Sequence, residues 1–65
     1  MGFTIKIIHR RGDLESCIFS FQDDGEYIVP DLTDKIIIDG KRYVIKEQVI
    51  DYDDEILYVY VRMVL

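Results

Sequence analysis

The sequence predicts an all-β fold, a small antiparallel barrel or sandwich of five to six short strands. Runs rich in Ile, Val, Tyr and Phe alternate with polar residues at a period of two, which is the pattern of half-buried strands. Clusters of Gly, Pro and Asp separate these runs at regular intervals. No stretch has the 3.6-residue period of an amphipathic helix.

Length and composition favour one folded domain over residues 1–65. The 65 residues are 49% hydrophobic and 32% charged, which is too apolar for a disordered chain despite a net charge of −5. A domain of this length buries only roughly 60% of the surface that its unfolded chain exposes. We therefore expect a single core, in the size range of SH3-like and OB-like barrels.

The turn signals divide the chain into successive strands. Turns are predicted at 11–13, 23–25, 30–31, 39–40 and 52–55, and strands at about 2–10, 14–22, 26–29, 35–39, 42–51 and 56–64. If the short run at 26–29 extends its neighbour the domain has five strands, and if it is separate it has six.

The first hairpin is predicted from the pairing that gives one wholly apolar face. That pairing has a short loop at 11–13 and places Phe3 opposite Phe21, Ile5 opposite Phe19, and Ile7 opposite Cys17. Cys17 is therefore expected in the core. His9 is expected at the surface near Glu15.

The last hairpin supplies a second core face. Leu57, Val59, Val61, Met63 and Leu65 alternate strictly. A register in which paired residue numbers add up to an even sum sets them against Tyr43, Ile45 and Val49. Glu47 would then point inward, which is costly for an unpaired charge and predicts a β-bulge near Glu47-Gln48. Asp39-Gly40 predicts a tight turn whose residues have positive φ.

The opposite face of the last hairpin is the candidate interaction surface. Tyrosine, arginine and apolar side chains together on one strand face are enriched at protein interfaces. The residues expected there are Tyr58, Tyr60, Arg62, Ile50, Gln48 and Val44. Alternatively, a more closed barrel or the strand at 2–10 covers part of this face.

Catalytic, cofactor and metal sites are not expected. Cys17 and His9 would lie roughly 7–8 Å apart as diagonal neighbours, too far for a hydrogen bond. The acidic run Asp51, Asp53, Asp54 and Glu55 lacks the glycine and distal glutamate of an EF-hand, so a solvated turn is favoured over weak divalent binding. We expect no enzyme activity and no small-molecule substrate.

Charge and cysteine content restrict the partners and the location. Thirteen Asp and Glu against eight Lys and Arg make nucleic-acid binding unlikely, since phosphate backbones are repelled. No apolar run approaches the ~20 residues that span a membrane, and no signal-peptide pattern opens the sequence. With one cysteine, a reducing, cytoplasmic location is expected.

The stretch from Val29 to Ile45 has a pattern that is similar to that of a known group of proteins. Its pattern is Asp34-x-Ile36-x-Ile38-Asp39-Gly40-Lys41-x-Tyr43-x-Ile45, followed later by Asp51-Tyr52-Asp53. It resembles small β-barrel proteins encoded by bacteria and their phages, over about half of the chain. The resemblance implies a small barrel fold and a bacterial or phage origin, and it implies no catalytic residue.

Three functional hypotheses follow. The first is a non-enzymatic protein-interaction module, in one form a homodimer, that uses the Tyr58/Tyr60/Arg62 face or an exposed strand edge. The second is an acidic inhibitor that mimics nucleic acid and occupies a DNA-binding protein through the 51–55 carboxylates. The third is a small barrel that binds nucleic acid weakly through tyrosine stacking and basic residues.

Overall fold

The fold is a single curled sheet that forms half of a barrel, which confirms the all-β class. The computed structural model describes residues 2–64, so the prediction for Leu65 lies outside the described residues. Its five strands are β1 (Thr4–Arg11), β2 (Leu14–Gln22), β3 (Lys35–Ile38), β4 (Lys41–Asp51) and β5 (Ile56–Met63). Residues 26–29 belong to the connection between β2 and β3, so of the two predicted strand counts, five is the correct one.

The two hairpins join edge to edge through a parallel pairing of β1 with β5. The order across the sheet is β2-β1-β5-β4-β3, and the other three pairings are antiparallel. The sheet is therefore mixed rather than purely antiparallel. This pairing gives β5 a neighbour on each side, and Val59 at its centre is 0% exposed.

The first hairpin has a different register from the predicted one. Gly12, at a φ of 62°, starts a two-residue turn that sets Arg11 opposite Leu14. Ile7 then pairs with Phe19, and a β-bulge follows, so that Ile8 pairs with Cys17. Cys17 is consequently exposed on the face of Ile8, and its predicted place in the core was wrong.

The second hairpin follows the predicted register up to a β-bulge. Tyr43 pairs with Met63 and Ile45 with Val61, as the even sum requires. The next pair is Glu47 with Tyr60, which leaves Lys46 as the extra residue and confirms a bulge at this point. Beyond the bulge, paired residue numbers add up to an odd sum, so the later residues of β4 lie on the faces opposite to those predicted.

The turn at Asp39-Gly40 also agrees with the prediction. Both residues have positive φ, 53° and 77°, which is the backbone of a type I′ hairpin turn. This turn sets Ile38 opposite Lys41 and so fixes the register of β3 on β4.

The core lies on the inner, concave face of the sheet. Its buried members are Ile5, Ile7, Tyr43, Ile45, Val59 and Val61. Phe19 and Phe21 of β2 pack against it from one side, and Ile36 and Ile38 of β3 from the other. The connection 23–34 crosses this face, where Val29 packs on the core and Pro30 is buried.

Candidate functional site

Four of the six predicted interaction residues share the outer, convex face. Tyr58 and Tyr60 lie side by side on β5, with ring centroids 6.4 Å apart and planes inclined by 22°. Val44 pairs with Arg62 on the same face. The guanidinium of Arg10 covers the Tyr60 ring at 4.1 Å from its centroid, a cation–π contact.

The other two residues, Gln48 and Ile50, lie on the inner face, so their predicted orientation was wrong. The bulge at Lys46 reverses the parity of β4, and Gln48 pairs with Val59 while Ile50 pairs with Leu57. The Gln48 Nε2 donates to the Pro30 carbonyl oxygen at 2.6 Å. Val49, predicted to face the core, instead pairs with Tyr58 and is exposed.

The outer face is more polar than the sequence suggested. Lys6 lies between Tyr58 of β5 and Ser20 of β2 in the ladder. Farther along, the Gln22 Nε2 donates to the Thr4 Oγ1 at 3.0 Å. The two tyrosines therefore form a narrow aromatic strip, with polar residues on one side and the aliphatic Ile8 and Val49 paired with Tyr60 and Tyr58.

An apolar opening lies between the two edge strands, and we call it the open seam. It consists of the free edges of β2 and β3 and of the cleft between them. Each of these strands is bonded to a neighbour on one side only. The cleft has a volume of about 360 Å³, and its walls include Phe19, Phe21, Tyr27, Ile28, Ile36 and Ile38.

Contacts of the 23–34 connection shape the mouth of the open seam. The Tyr27 ring packs against Phe19 and Phe21, with centroid separations of 5.5 and 5.2 Å. Ile28 next to it is 90% exposed, and Ile37 of β3 is 65% exposed. Two aliphatic side chains thus stand in water beside an apolar cleft, an arrangement that favours a contact with another molecule.

A second opening, the fork cleft, lies where β1 and β5 diverge. The parallel ladder ends at the pair His9 and Val61, after which β1 continues only with β2, and β5 only with β4. The resulting cleft has a volume of about 740 Å³. Its lining includes four cationic side chains, those of Arg10, Arg11, Lys46 and Arg62.

Sequence reasoning missed the fork cleft. Its residues come from the end of β1, the bulge of β4 and the end of β5, so no local motif joins them. Only the parallel pairing of β1 with β5 brings them together. The one available signal was the position of Arg10-Arg11 and Arg62 near predicted strand ends.

The remaining candidate groups do not assemble into a chemical site. Cys17 pairs with Ile8 on the outer face, whereas His9 is on the inner face, in edge-to-face contact with Tyr43 at 5.5 Å. The Asp51 Oδ1 accepts the backbone N–H groups of Asp53 and Asp54 at 3.0 and 3.1 Å, so this carboxylate closes a turn. Within residues 2–64 no three His, Cys, Asp or Glu side chains are placed to hold a metal ion.

The same described range contains no helix with the length and apolar character needed to cross a membrane. Comparison of the chain with protein-family models, with curated proteins and with solved structures gave no significant match. The resemblance to bacterial and phage barrel proteins therefore stays a prediction.

Proposed function

We propose that the protein is a non-enzymatic interaction module that binds an extended segment of a partner protein at the open seam. The observation that carries this proposal is that the free edges of β2 and β3 flank an apolar cleft. Free edges present a row of backbone donors and acceptors to a further strand. Addition of a strand would pair those groups and cover the cleft in one step.

The shape of the seam specifies the chemistry of the partner segment. Side chains of an added strand alternate between two faces, so every second residue would point into the cleft. Those residues should be apolar, because Phe19, Phe21, Ile36 and Ile38 form the walls. β2 has nine residues, and it could pair with a segment about 30 Å long.

The outer face is less suited to be the interaction surface than the sequence predicted. Tyr60 is already covered by Arg10, and Gln48 and Ile50 do not extend the aromatic strip. A role for Tyr58, Tyr60, Arg62 and Val44 in binding stays a prediction. We also propose a cytoplasmic location, which the exposed lone thiol of Cys17 supports because such thiols persist in reducing compartments.

A pair of exposed aliphatic residues provides a test that should not disturb folding. Ile28 lies at the seam and is 90% exposed, whereas Val49, at 41%, lies on the outer face of β4, away from the seam. Uncharged nine-residue peptides with valine at alternate positions would be titrated into the isotope-labelled protein, and the shifts of its backbone amides followed by NMR. Ile28→Glu is expected to weaken binding about tenfold or more, since it replaces apolar burial with a charge, and the control Val49→Glu should leave it unchanged.

The residues whose amides shift, and the molecule that occupies the seam, decide the outcome. Shifts confined to β2, β3 and residues 27–30 support the proposal. Equal loss of binding in both glutamate variants, or shifts confined to Lys6 and Tyr58, would contradict it. A dimer seen by sedimentation that Ile28→Glu dissociates would assign the seam to a second copy instead of a foreign segment.

A further inference from the structure

We propose that the fork cleft is a binding site for a small phosphate-bearing anion, separate from the open seam. Four of the eight Lys and Arg residues line this one cleft in a chain whose net charge is −5. No Asp or Glu is among its lining residues within the described range 2–64. The cleft therefore concentrates positive charge against the overall balance of the protein.

The cations have different roles. Arg10 is fixed in place, since its Nε donates to the Glu15 Oε2 at 3.1 Å and its Nη1 lies 3.8 Å from the Glu47 Oε1. Its guanidinium also rests on Tyr60. Because these two carboxylates compensate much of the charge of Arg10, this residue lines the cleft but contributes little to anion binding.

The other three cations are the candidates for ligand contact. Among residues 2–64, neither Arg11, Lys46 nor Arg62 forms an ion pair. Arginine presents a planar fork of donors that matches the oxygens of a phosphate group in a bidentate manner. Lysine adds a flexible point charge. Two guanidinium groups and one ammonium group around a single opening thus suit a phosphate better than a neutral ligand.

The backbone gives this site its position. Regular strands carry Arg11 and Arg62, on opposite sides of the divergence of β1 and β5. The buried Val61 and the half-buried Met63 also line the cleft. Apolar and cationic side chains together are a common composition of a small-molecule site, and about 740 Å³ lies in the usual range of volumes.

Charge elsewhere on the protein favours a compact anion over a long one. The acidic turns lie at the start of β1, where the Thr4 N–H donates to the Glu55 carbonyl and the Asp23 N–H to the Phe3 carbonyl. The fork cleft is at the other end of this eight-residue strand, roughly 25 Å away. The acidic end carries Asp23, Asp24, Glu26, Asp51, Asp53, Asp54 and Glu55.

A ligand confined to the cleft is screened from that end, because the Debye length at physiological salt is about 8 Å. An extended polyanion that reached along the sheet would approach those carboxylates and be repelled. We therefore infer a ligand of about nucleotide size or smaller rather than a nucleic-acid strand.

The test uses inorganic pyrophosphate as the probe, titrated into the whole chain at an ionic strength of about 0.15 M, where the Debye length is about 8 Å, and followed by NMR shifts of the backbone amides. The double variant Arg11→Gln/Arg62→Gln should weaken binding at least about tenfold, since charge-assisted hydrogen bonds are lost. The matched control Lys6→Gln/Lys35→Gln removes the same charge outside the cleft and should change affinity less than about twofold.

Three outcomes would overturn the proposal. Equal weakening in both double variants would show a general charge effect, and shifts that avoid His9, Lys46 and Met63 would place the anion elsewhere. Tighter binding of a ten-residue oligothymidylate or of tetraglutamate than of pyrophosphate would assign the cleft to nucleic acid or to an acidic peptide. Binding at the seam is measured with uncharged peptides, so failure at either site leaves the other testable.

Discussion

Replacing Ile7 with alanine is expected to lower the free energy of unfolding by about 2–5 kcal/mol. Ile7 is 2% exposed and lies between Phe19 of β2 and Val59 of β5 in the ladder. Truncation there removes apolar burial and leaves a cavity where both hairpins meet. Because a domain of this length has a total stability of only roughly 3–10 kcal/mol, the loss should leave much of the protein unfolded near 37 °C.

The matched control is Ile37→Ala, which changes the same side chain at an edge-strand position that is 65% exposed. It should alter stability by less than about 0.5 kcal/mol. Urea unfolding followed by circular dichroism measures both variants. Similar destabilisation by the two substitutions would contradict the placement of the core between β1, β2 and β5.

Deleting Val44 is expected to unfold the protein, whereas deleting Lys46 should preserve the fold. Lys46 is the extra residue of the bulge, so its removal leaves a regular ladder with every remaining side chain on its present face. Removal of Val44 instead turns Ile45 outward and directs Lys46 toward Val61. Lost burial of Ile45, worth about 1.5–3 kcal/mol, adds to the cost of an inward ammonium group.

Thermal unfolding of the two single-residue deletions distinguishes these outcomes. A cooperative transition is predicted for the Lys46 deletion and its absence for the Val44 deletion. If both deletions were tolerated equally, or if only the Lys46 deletion unfolded, the bulge would not be the feature that sets the register of β4.

Local patterns predicted each hairpin to the extent that turn chemistry and alternation determine it. Asp39-Gly40 gave the correct turn, and the alternation from Leu57 to Met63 gave the correct core face of β5. The inward charge at Glu47 correctly indicated a bulge. The prediction nevertheless kept one parity through the bulge, and this placed Gln48 and Ile50 on the wrong face.

In the first hairpin, a tight turn and a β-bulge compensate each other, so the alternation of the sequence reveals neither. A two-residue turn at Gly12-Asp13 and an extra residue at Ile18 each shift the pairing by one. The apolar face of Phe19 and Phe21 is kept, but Cys17 moves to the outside. Either change alone would have exposed the aromatic residues. A register with neither change and a register with both keep Phe19 and Phe21 inward, so alternation alone does not distinguish them.

The candidate sites depend on long-range pairing, which no local pattern specifies. The parallel contact of β1 with β5 joins residues about fifty positions apart, for example Ile7 and Val59. It leaves β2 and β3 as the sheet edges, and it brings Arg11 near Arg62 at the fork. Both the open seam and the fork cleft are therefore consequences of topology rather than of any sequence motif.

The most direct test of this account is a nuclear Overhauser spectrum of the backbone protons. It should show cross-strand contacts between β1 and β5 in parallel register, centred on Ile7 and Val59, and none between β2 and β3. Backbone contacts between β2 and β3 would mean a closed barrel. That result would remove the open seam and contradict the proposed function.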